Sequence, residues 1–298
     1  MDRPNLQAAA AILDWPEGLR AEDGLVLHVR EWLAQRDEPL GTVHVVHGLG
    51  EHTERYDALA LRIAAAGWRV VGHDHRGHGR SGGARGVLPR RDALLRDLGR
   101  VLEATRSRRG GPTVLLGHSM GGAVAARFVA EATRPAGRRA EWWRPVDALA
   151  LSSPALAADL GFGQRLQVAL GRWLAPSLAV ANGLSASWIS RDPAVVAAYE
   201  ADPLVHDRIT PRLASFILGA GAFARGRAAR WPTPTLLMWG GADRCVAPQG
   251  SRAFAAAAPA DRVTAREFPT LAHEIFNEPE REAVLAALLS WLGALRAP

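Results

Sequence analysis

Gly117-His118-Ser119-Met120-Gly121-Gly122 follows the apolar run Thr113-Val114-Leu115-Leu116 and leads into Ala123-Val124-Ala125-Ala126-Arg127-Phe128-Val129. A short apolar run, a glycine-flanked serine and an alanine-rich stretch, in that order, spell a strand, a tight turn and a helix. The turn has to be sharp enough to lift the serine hydroxyl above the end of the strand, where a Cβ at 117 or 121 would collide with neighbouring backbone. This G-x-S-x-G pattern marks Ser119 as a candidate nucleophile. The plainer alternative is a serine that only caps a helix.

Outward from this junction, strand-like segments at 25–32, 42–46, 69–73, 113–116, 147–151, 235–239 and 263–268 alternate with helical stretches near 56–66, 92–106, 120–133, 249–257 and 280–295. Such alternation predicts an α/β fold with a mostly parallel sheet covered on both faces by helices. It breaks after Ser152-Ser153-Pro154. From 155 to 230 no strand pattern appears, whereas 166–174 and 211–223 are apolar at helical spacing. The expected organisation is a core of residues 1–154 and 231–298, with a helical cap inserted at 155–230 over the end of the sheet. Leu170, Trp173 and Leu174 in that insertion are expected to line an acyl tunnel, membrane contact being secondary.

A serine hydroxyl is a poor nucleophile at neutral pH, so Ser119 needs a base and a group to orient it, arriving later in the chain as acid and then histidine. Asp243 ends the strand-like Thr235-Leu236-Leu237-Met238-Trp239 in the turn Gly240-Gly241-Ala242. His273 follows the next strand through Pro269-Thr270-Leu271-Ala272. Asp159, after a different strand, is the rival acid. An anionic intermediate also needs two amide donors. The amide of Met120, just past the serine, supplies one. That of Leu49, in the glycine-bracketed turn His47-Gly48-Leu49-Gly50 after the strand at 42–46, supplies the other. His47 is expected to be a buried framework residue. This chemistry calls for no metal and no cofactor.

These blocks resemble a known family. His47-Gly48-Leu49-Gly50-Glu51-His52 with Arg55-Tyr56, Asp74-His75-Arg76-Gly77-His78-Gly79-Arg80-Ser81, the elbow, Gly240-Gly241-Ala242-Asp243 and His273-Glu274 are together similar to the monoacylglycerol lipase and lysophospholipase branch of the α/β-hydrolases. The resemblance runs from about 43 to 278, and its G-E-H-x-x-R-Y block is more specific than the elbow. It implies a hydrolase of lipid-like monoacyl esters, with Ser119, Asp243 and His273 as triad and Leu49 and Met120 as oxyanion donors. Glu51, Arg55 and His118 are implied to hold the substrate's polar head or to brace the site. Leucine stands at 49 where mammalian members usually carry alanine. Thioesterase, amidase or acyltransferase chemistry on the same triad stays open, as does a non-catalytic lipid-binding protein.

Gly77-His78-Gly79-Arg80-Ser81-Gly82 also satisfies G-x-G-x-x-G, but it runs on into Gly83 to Pro89 as loop rather than opening a helix, which argues against dinucleotide binding. Asp74 and Arg76 are expected to brace this loop.

The formal net charge is +6 over 298 residues, yet every one of the 36 basic residues is arginine, scattered along the chain rather than striped. Nucleic acid is therefore not an expected partner, although affinity for anionic membrane surfaces stays open. Arg106-Ser107-Arg108-Arg109 is expected to be a solvated helix end. The single cysteine, Cys245, excludes intrachain disulfides and cysteine metal clusters. It is expected to be a buried bystander near the site. The start of the chain lacks a basic region and a convincing secretory core, and no apolar run approaches the ~18 residues of a spanning helix. The expected setting is cytoplasmic, with peripheral membrane contact through the cap as a further option; the expected partner is a small lipid ester.

Overall fold

A computed structural model describes residues 11–108, 111–159 and 161–295. The expectations about the first ten residues and Arg109 fall outside these. Eight strands form the central sheet: β1 (Ile12–Asp14), β4 (Val29–Trp32), β5 (Thr42–Val46), β6 (Arg69–His73), β7 (Thr113–His118), β8 (Ala148–Ser152), β11 (Thr235–Gly240) and β12 (Val263–Phe268). Their order across the sheet is β1-β4-β6-β5-β7-β8-β11-β12. From β6 to β12 every pairing is parallel, while β1 and β4 add an antiparallel edge.

Helices α1 (Asp57–Ala65), α2 (Ala93–Arg108), α3 (Ser119–Ala130), α7 (Pro248–Ala257) and α8 (Arg281–Ala294) cover the sheet. Strand alternation feeds two cores. In β7, Leu115 joins Leu98, Phe128 and Phe254 on one face. Val114 and Leu116 join Ile63, Val284 and Leu288 on the other. A strand covered on both sides has no solvated face to show, which is why β5 to β8 and β11 read as mostly apolar runs without alternation, their few polar residues, such as His44 and Arg69, being buried as well.

Several short elements escape the sequence pattern. The stretch expected as one strand at 25–32 is broken at His28, whose amide is taken by Ser81 Oγ at 2.8 Å instead of a ladder partner. Its first part, β3 (Val26–Leu27), forms a hairpin with β2 (Leu19–Arg20), and only the remainder, β4, enters the sheet. β1 was not expected. Nor were strands in the insertion, yet β9 (Val180–Ala181) and β10 (Arg208–Ile209) pair antiparallel there. Two-residue strands are too short to show a period of two, so pattern analysis could not register them.

The insertion also carries α4 (Phe162–Leu174), α5 (Pro193–Ala201) and α6 (Pro211–Arg225). α6 lies along α3 and contributes Leu213 and Ala224 to the core. A Cβ at Gly221 would fall 2.5 Å from the Ala155 carbonyl and 2.6 Å from that of Leu156, so glycine permits this close approach. No described helix is long and apolar enough to cross a membrane.

Candidate active site

The carboxyl ends of β5, β7 and β11, with the loop after β12, meet beneath the insertion, where parallel sheets habitually place their ligands. β7 runs straight into α3, and the junction falls on Ser119 with φ of +53°. A non-glycine residue in this left-handed region costs on the order of 1–3 kcal/mol and persists only where its surroundings impose it. Here glycine permits the imposed geometry. A Cβ on Gly121 would sit 2.0 Å from the Val46 carbonyl and 2.3 Å from that of His47, and one on Gly117 would sit 2.7 Å from the Gly121 carbonyl.

Ser119 Oγ lies 2.8 Å from Nε2 of His273, whose Nδ1 lies 2.7 Å from Oδ2 of Asp243. The other carboxylate oxygen of Asp243 accepts from the amides of Cys245 (2.8 Å) and Val246 (3.1 Å), which fixes the carboxyl plane. With Nδ1–H donating to Asp243, Nε2 presents a lone pair to the serine hydroxyl. Burial opposes a charge on His273, but Asp243 outweighs it, helped by Glu274 and Glu51, and the imidazole is held above the ordinary histidine range. Asp159 is exposed and takes no part in this relay.

The turn expected to supply the second amide lies against the serine. A Cβ at Gly48 would be 3.2 Å from Ser119 Cβ. Met120 lies in the first turn of α3, whose amides have no intrahelical acceptor. His47 is buried between two backbone partners. Its Nδ1 donates to the Gly48 carbonyl at 2.8 Å and its Nε2 accepts from the His75 amide at 2.9 Å.

Glu51 is buried with Oε1 accepting from the Gly48 amide and, at 2.7 Å, from the Tyr56 hydroxyl; its Oε2 accepts from Arg55 Nε at 3.3 Å. Arg55 Nη2 reaches both oxygens of Glu274 at 2.7 Å, and its guanidinium lies 4.7 Å from the Tyr199 ring centroid. Burial works against both carboxylates. For Glu51 it is outweighed by His118, Arg55 and the hydrogen bonds from Tyr56 and Gly48, so its pKa falls. For Glu274 burial and the neighbouring Glu51 prevail over Arg55, and its pKa rises.

His118 Nδ1 lies 3.1 Å from both the carbonyl and the hydroxyl of Ser152, and its ring stands 4.7 Å from that of His273. Burial, then repulsion from His273, lowers its pKa to about 4, so it is neutral at pH 7. Glu51 and His118 border the catalytic cavity. Arg55 instead sits behind Glu51 in a small adjoining pocket.

The cavity above Ser119 has a volume of about 380 Å³, within the range of small-molecule sites. Leu49, Leu184, Ile189 and Val205 give it apolar wall; Tyr199 and Asp202 give it polar wall. The thiol of Cys245 also faces it, half-buried, and burial followed by the field of Asp243 pushes its pKa far above that of a free thiol, which disfavours the reactive thiolate. Asp243, Cys245 and His273 place potential metal-ligand atoms within 4.8 Å of one another. Two of those residues are already engaged in the hydrogen bond that orients the imidazole, so a metal there would compete with it.

Several contacts that shape the site were not read from the sequence. Glu278, fully buried, accepts from the Ala272 amide (2.9 Å), Ser190 Oγ (2.8 Å) and Arg191 Nε (2.7 Å), tying the His273 loop to the insertion. The His206 amide donates to the Gly50 carbonyl at 2.9 Å, and His52 Nε2 meets Asp202 Oδ2 at 2.7 Å, clamping the turn at 48–50 from above. Gly50, with φ of +79°, was the available signal; a Cβ there would lie 2.2 Å from the His206 carbonyl.

The glycine loop at 77–82 is closed on itself, with the Gly77 amide on the Gly82 carbonyl and a Cβ at Gly79 placed 2.2 Å from Asp74 Oδ2. Asp74 accepts from the Thr53 and Arg80 amides, and Arg76 is paired with Asp97 and Asp23, so both brace the loop.

Residues 37–280 match the hydrolase family described as "Serine aminopeptidase, S33". The chain belongs to that family. It is 39% identical over 273 residues to a monoacylglycerol lipase of Mycolicibacterium smegmatis, covering 88% of this chain and 90% of that one. To the monoglyceride lipase of Rattus norvegicus it is 30% identical, with 91% and 88% covered. The crystal structure of Paleococcus ferrophilus monoacylglycerol lipase, 32% identical, superposes with a TM-score of 0.78 over 90% of this chain and 99% of that one. The chain is thus an α/β-hydrolase, and the family is one of serine hydrolases that includes lipid-ester hydrolases.

Proposed function

We propose that this hydrolase cleaves monoacylglycerol-type esters through an acyl-enzyme. The observation that carries the proposal is the Ser119–His273–Asp243 relay at the foot of a cavity with both apolar and polar wall. His273 Nε2 takes the Ser119 proton as Oγ attacks the ester carbonyl. The amides of Leu49 and Met120 hold the resulting oxyanion, and the imidazolium returns the proton to the departing glycerol oxygen. Water then attacks the acyl carbonyl as the same nitrogen takes its proton; the acyl–Oγ bond breaks, the proton returns to Ser119 Oγ, and the fatty acid is released. Asp243 holds the imidazole in the required tautomer throughout.

Glu51 and His118 border the head-group end of the cavity, while Arg55 acts from behind by positioning Glu51. Residues 155–230 act as the cap, with α6 as its stalk on α3 and α4, α5 and the β9–β10 ribbon as its roof. Leu170, Trp173 and Leu174 do not face the cavity; they are 51, 69 and 81% exposed. Tunnel lining by these three is therefore replaced by contact with a lipid surface, since an apolar face this open needs a partner. Leu178, Val180 and Leu184, which follow α4 in the chain, are exposed too, and Leu184 is also part of the cavity wall, which supports an apolar route for substrate from a lipid surface to Ser119.

Hydrolysis of a panel of monoacylglycerols, lysophospholipids, acyl thioesters, p-nitrophenyl esters and aminoacyl arylamides tests the substrate class, with Ser119→Ala as control. Each methylene buried adds about 0.8 kcal/mol, close to fourfold in kcat/KM, until the cavity is full. Monoacylglycerols should lead the panel, with a rising and then broken chain-length profile. A flat profile, or preference for an arylamide, overturns the assignment.

A further inference from the structure

A second cleft, of about 430 Å³, opens between α2, α3, α4 and α6, away from Ser119. Arg91, Arg127, Arg134, Arg172 and Arg212 line it, against only two carboxylates, Asp92 and Glu131. Neither carboxylate neutralises the mouth. Asp92 pairs with Arg90 and Arg96, which lie outside the lining, and Glu131, fully buried, is shared by Arg127, Arg134 and the Ala140 amide. Arg91, Arg172 and Arg212 have no carboxylate partner among the described residues. Arg212 reaches only the backbone carbonyls of Leu88 and Pro89. Ser215 Oγ, buried on the cleft wall, also lacks a hydrogen-bond partner. Deeper in, burial lowers the pKa of Arg127 despite its bond to Glu131, with Arg134 and Arg227 adding smaller repulsions.

The cleft borders the apolar face of α4. The Trp173 ring lies 5.8 Å from the Arg91 guanidinium carbon and 5.3 Å from that of Arg172. One exposed tryptophan thus touches two unneutralised cations at the edge of an open apolar helix face. A membrane interface with anionic head groups matches both halves, since Trp belongs at head-group level with its ring toward the tails and Arg pairs with phosphate. A water-soluble acidic partner would match the arginines but leave Leu170 and Leu174 uncovered.

We propose that this cleft is a second, non-catalytic site, which takes the phosphate head of an anionic membrane phospholipid while α4 rests in the interface and delivers substrate toward Leu184. The proposal rests on the assignment of α4 to a lipid surface, and the two can fail separately. The test is sedimentation of the full chain with vesicles of phosphatidylcholine alone or with phosphatidylglycerol added to give the negative surface potential that attracts basic residues. Wild type should prefer the anionic vesicles, more weakly at high salt, and Arg91→Gln/Arg172→Gln/Arg212→Gln should lose that preference. About fivefold per arginine is expected, or roughly 100-fold for the three, with kcat/KM on a monomeric p-nitrophenyl ester unchanged.

A control triple variant outside the cleft, Arg36→Gln/Arg262→Gln/Arg266→Gln, should keep most of the preference. Equal losses in the two triple variants would mean diffuse attraction by net charge and would overturn the site. So would an unchanged preference in the cleft variant, or no preference in wild type. Inorganic phosphate at millimolar concentration should not release the protein from anionic vesicles; full release would make this a soluble-phosphate site instead. Trp173→Ser/Leu174→Ser tests the underlying assignment, because unchanged binding to both vesicle types would remove α4 from the membrane while leaving the arginine result to stand alone.

Discussion

Glu51 borders the cavity, but its strongest bonds face the protein, and that makes a sharp prediction. One carboxylate oxygen holds the Gly48 amide and the Tyr56 hydroxyl, the other holds Arg55. Glu51→Ala strips all three donors of their acceptor inside a buried site. Removing one member of a buried, hydrogen-bonded charge pair costs about 3–5 kcal/mol, offset in part because Arg55 keeps Glu274. Freed of its tether, the turn carrying the Leu49 amide loosens, and loss of one oxyanion donor costs about 10²–10³ in kcat. Glu51→Gln is milder. Its carbonyl can still serve Gly48 and Tyr56, but its amide NH₂ then opposes Arg55, so about 10-fold is expected, of the size of a lost hydrogen bond to a charged group. Because the defect lies in the oxyanion turn, a monoacylglycerol and a p-nitrophenyl ester of equal acyl length should lose kcat/KM by the same factor, and thermal unfolding should shift down for both variants. A selective loss on the monoacylglycerol with unchanged stability would refute the brace and make Glu51 a head-group ligand.

Asp243→Asn should leave the fold intact and lower kcat by roughly 10⁴, the size of the effect of the equivalent substitution in serine proteases; a mild effect beside a severe Asp159→Asn would displace the acid. Gly121→Ala should abolish activity and destabilise the fold, since its Cβ would lie 2.0 Å from the Val46 carbonyl; a fully active, equally stable variant refutes the elbow packing. Burial keeps His44 and His78 uncharged to a pKa of about 3 and His73 and His118 to about 4. With folded pKa values below the unfolded 6.5, their stabilisation is complete above pH 6.5 and is lost as pH falls toward 4, each by about 1.4 kcal/mol per pH unit. His273 has the opposite sign, its contribution being present below pH 6.5 and fading as pH rises through its raised pKa. The four buried rings outweigh it, so acid unfolding monitored by circular dichroism should begin well above pH 4; a chain still native at pH 4 contradicts this.

The sequence by itself determined the elements whose information is local. The Gly117–Gly121 elbow, the apolar runs of β5, β6, β7 and β11, and the placement of Asp243 and His273 just beyond strand ends are all encoded within a few residues each. A strand buried on both faces is mostly apolar, and a residue forced to φ of +53° must have small neighbours. What was not legible depends on residues distant in the chain. Ser81 interrupts the strand at His28 from 53 positions away. The ribbon of β9 and β10 exists only because residues 180–181 and 208–209 meet. Arg55 finds Glu274 across 219 positions, and of the two roles the resemblance left open to it, head-group ligand or brace, that meeting favours the brace. The face of α4 was the plainest case. Its spacing of Leu166, Leu170, Trp173 and Leu174 shows that one side is apolar, but periodicity is silent on which body that side meets, and only the tertiary arrangement turned it outward beside a cleft of arginines.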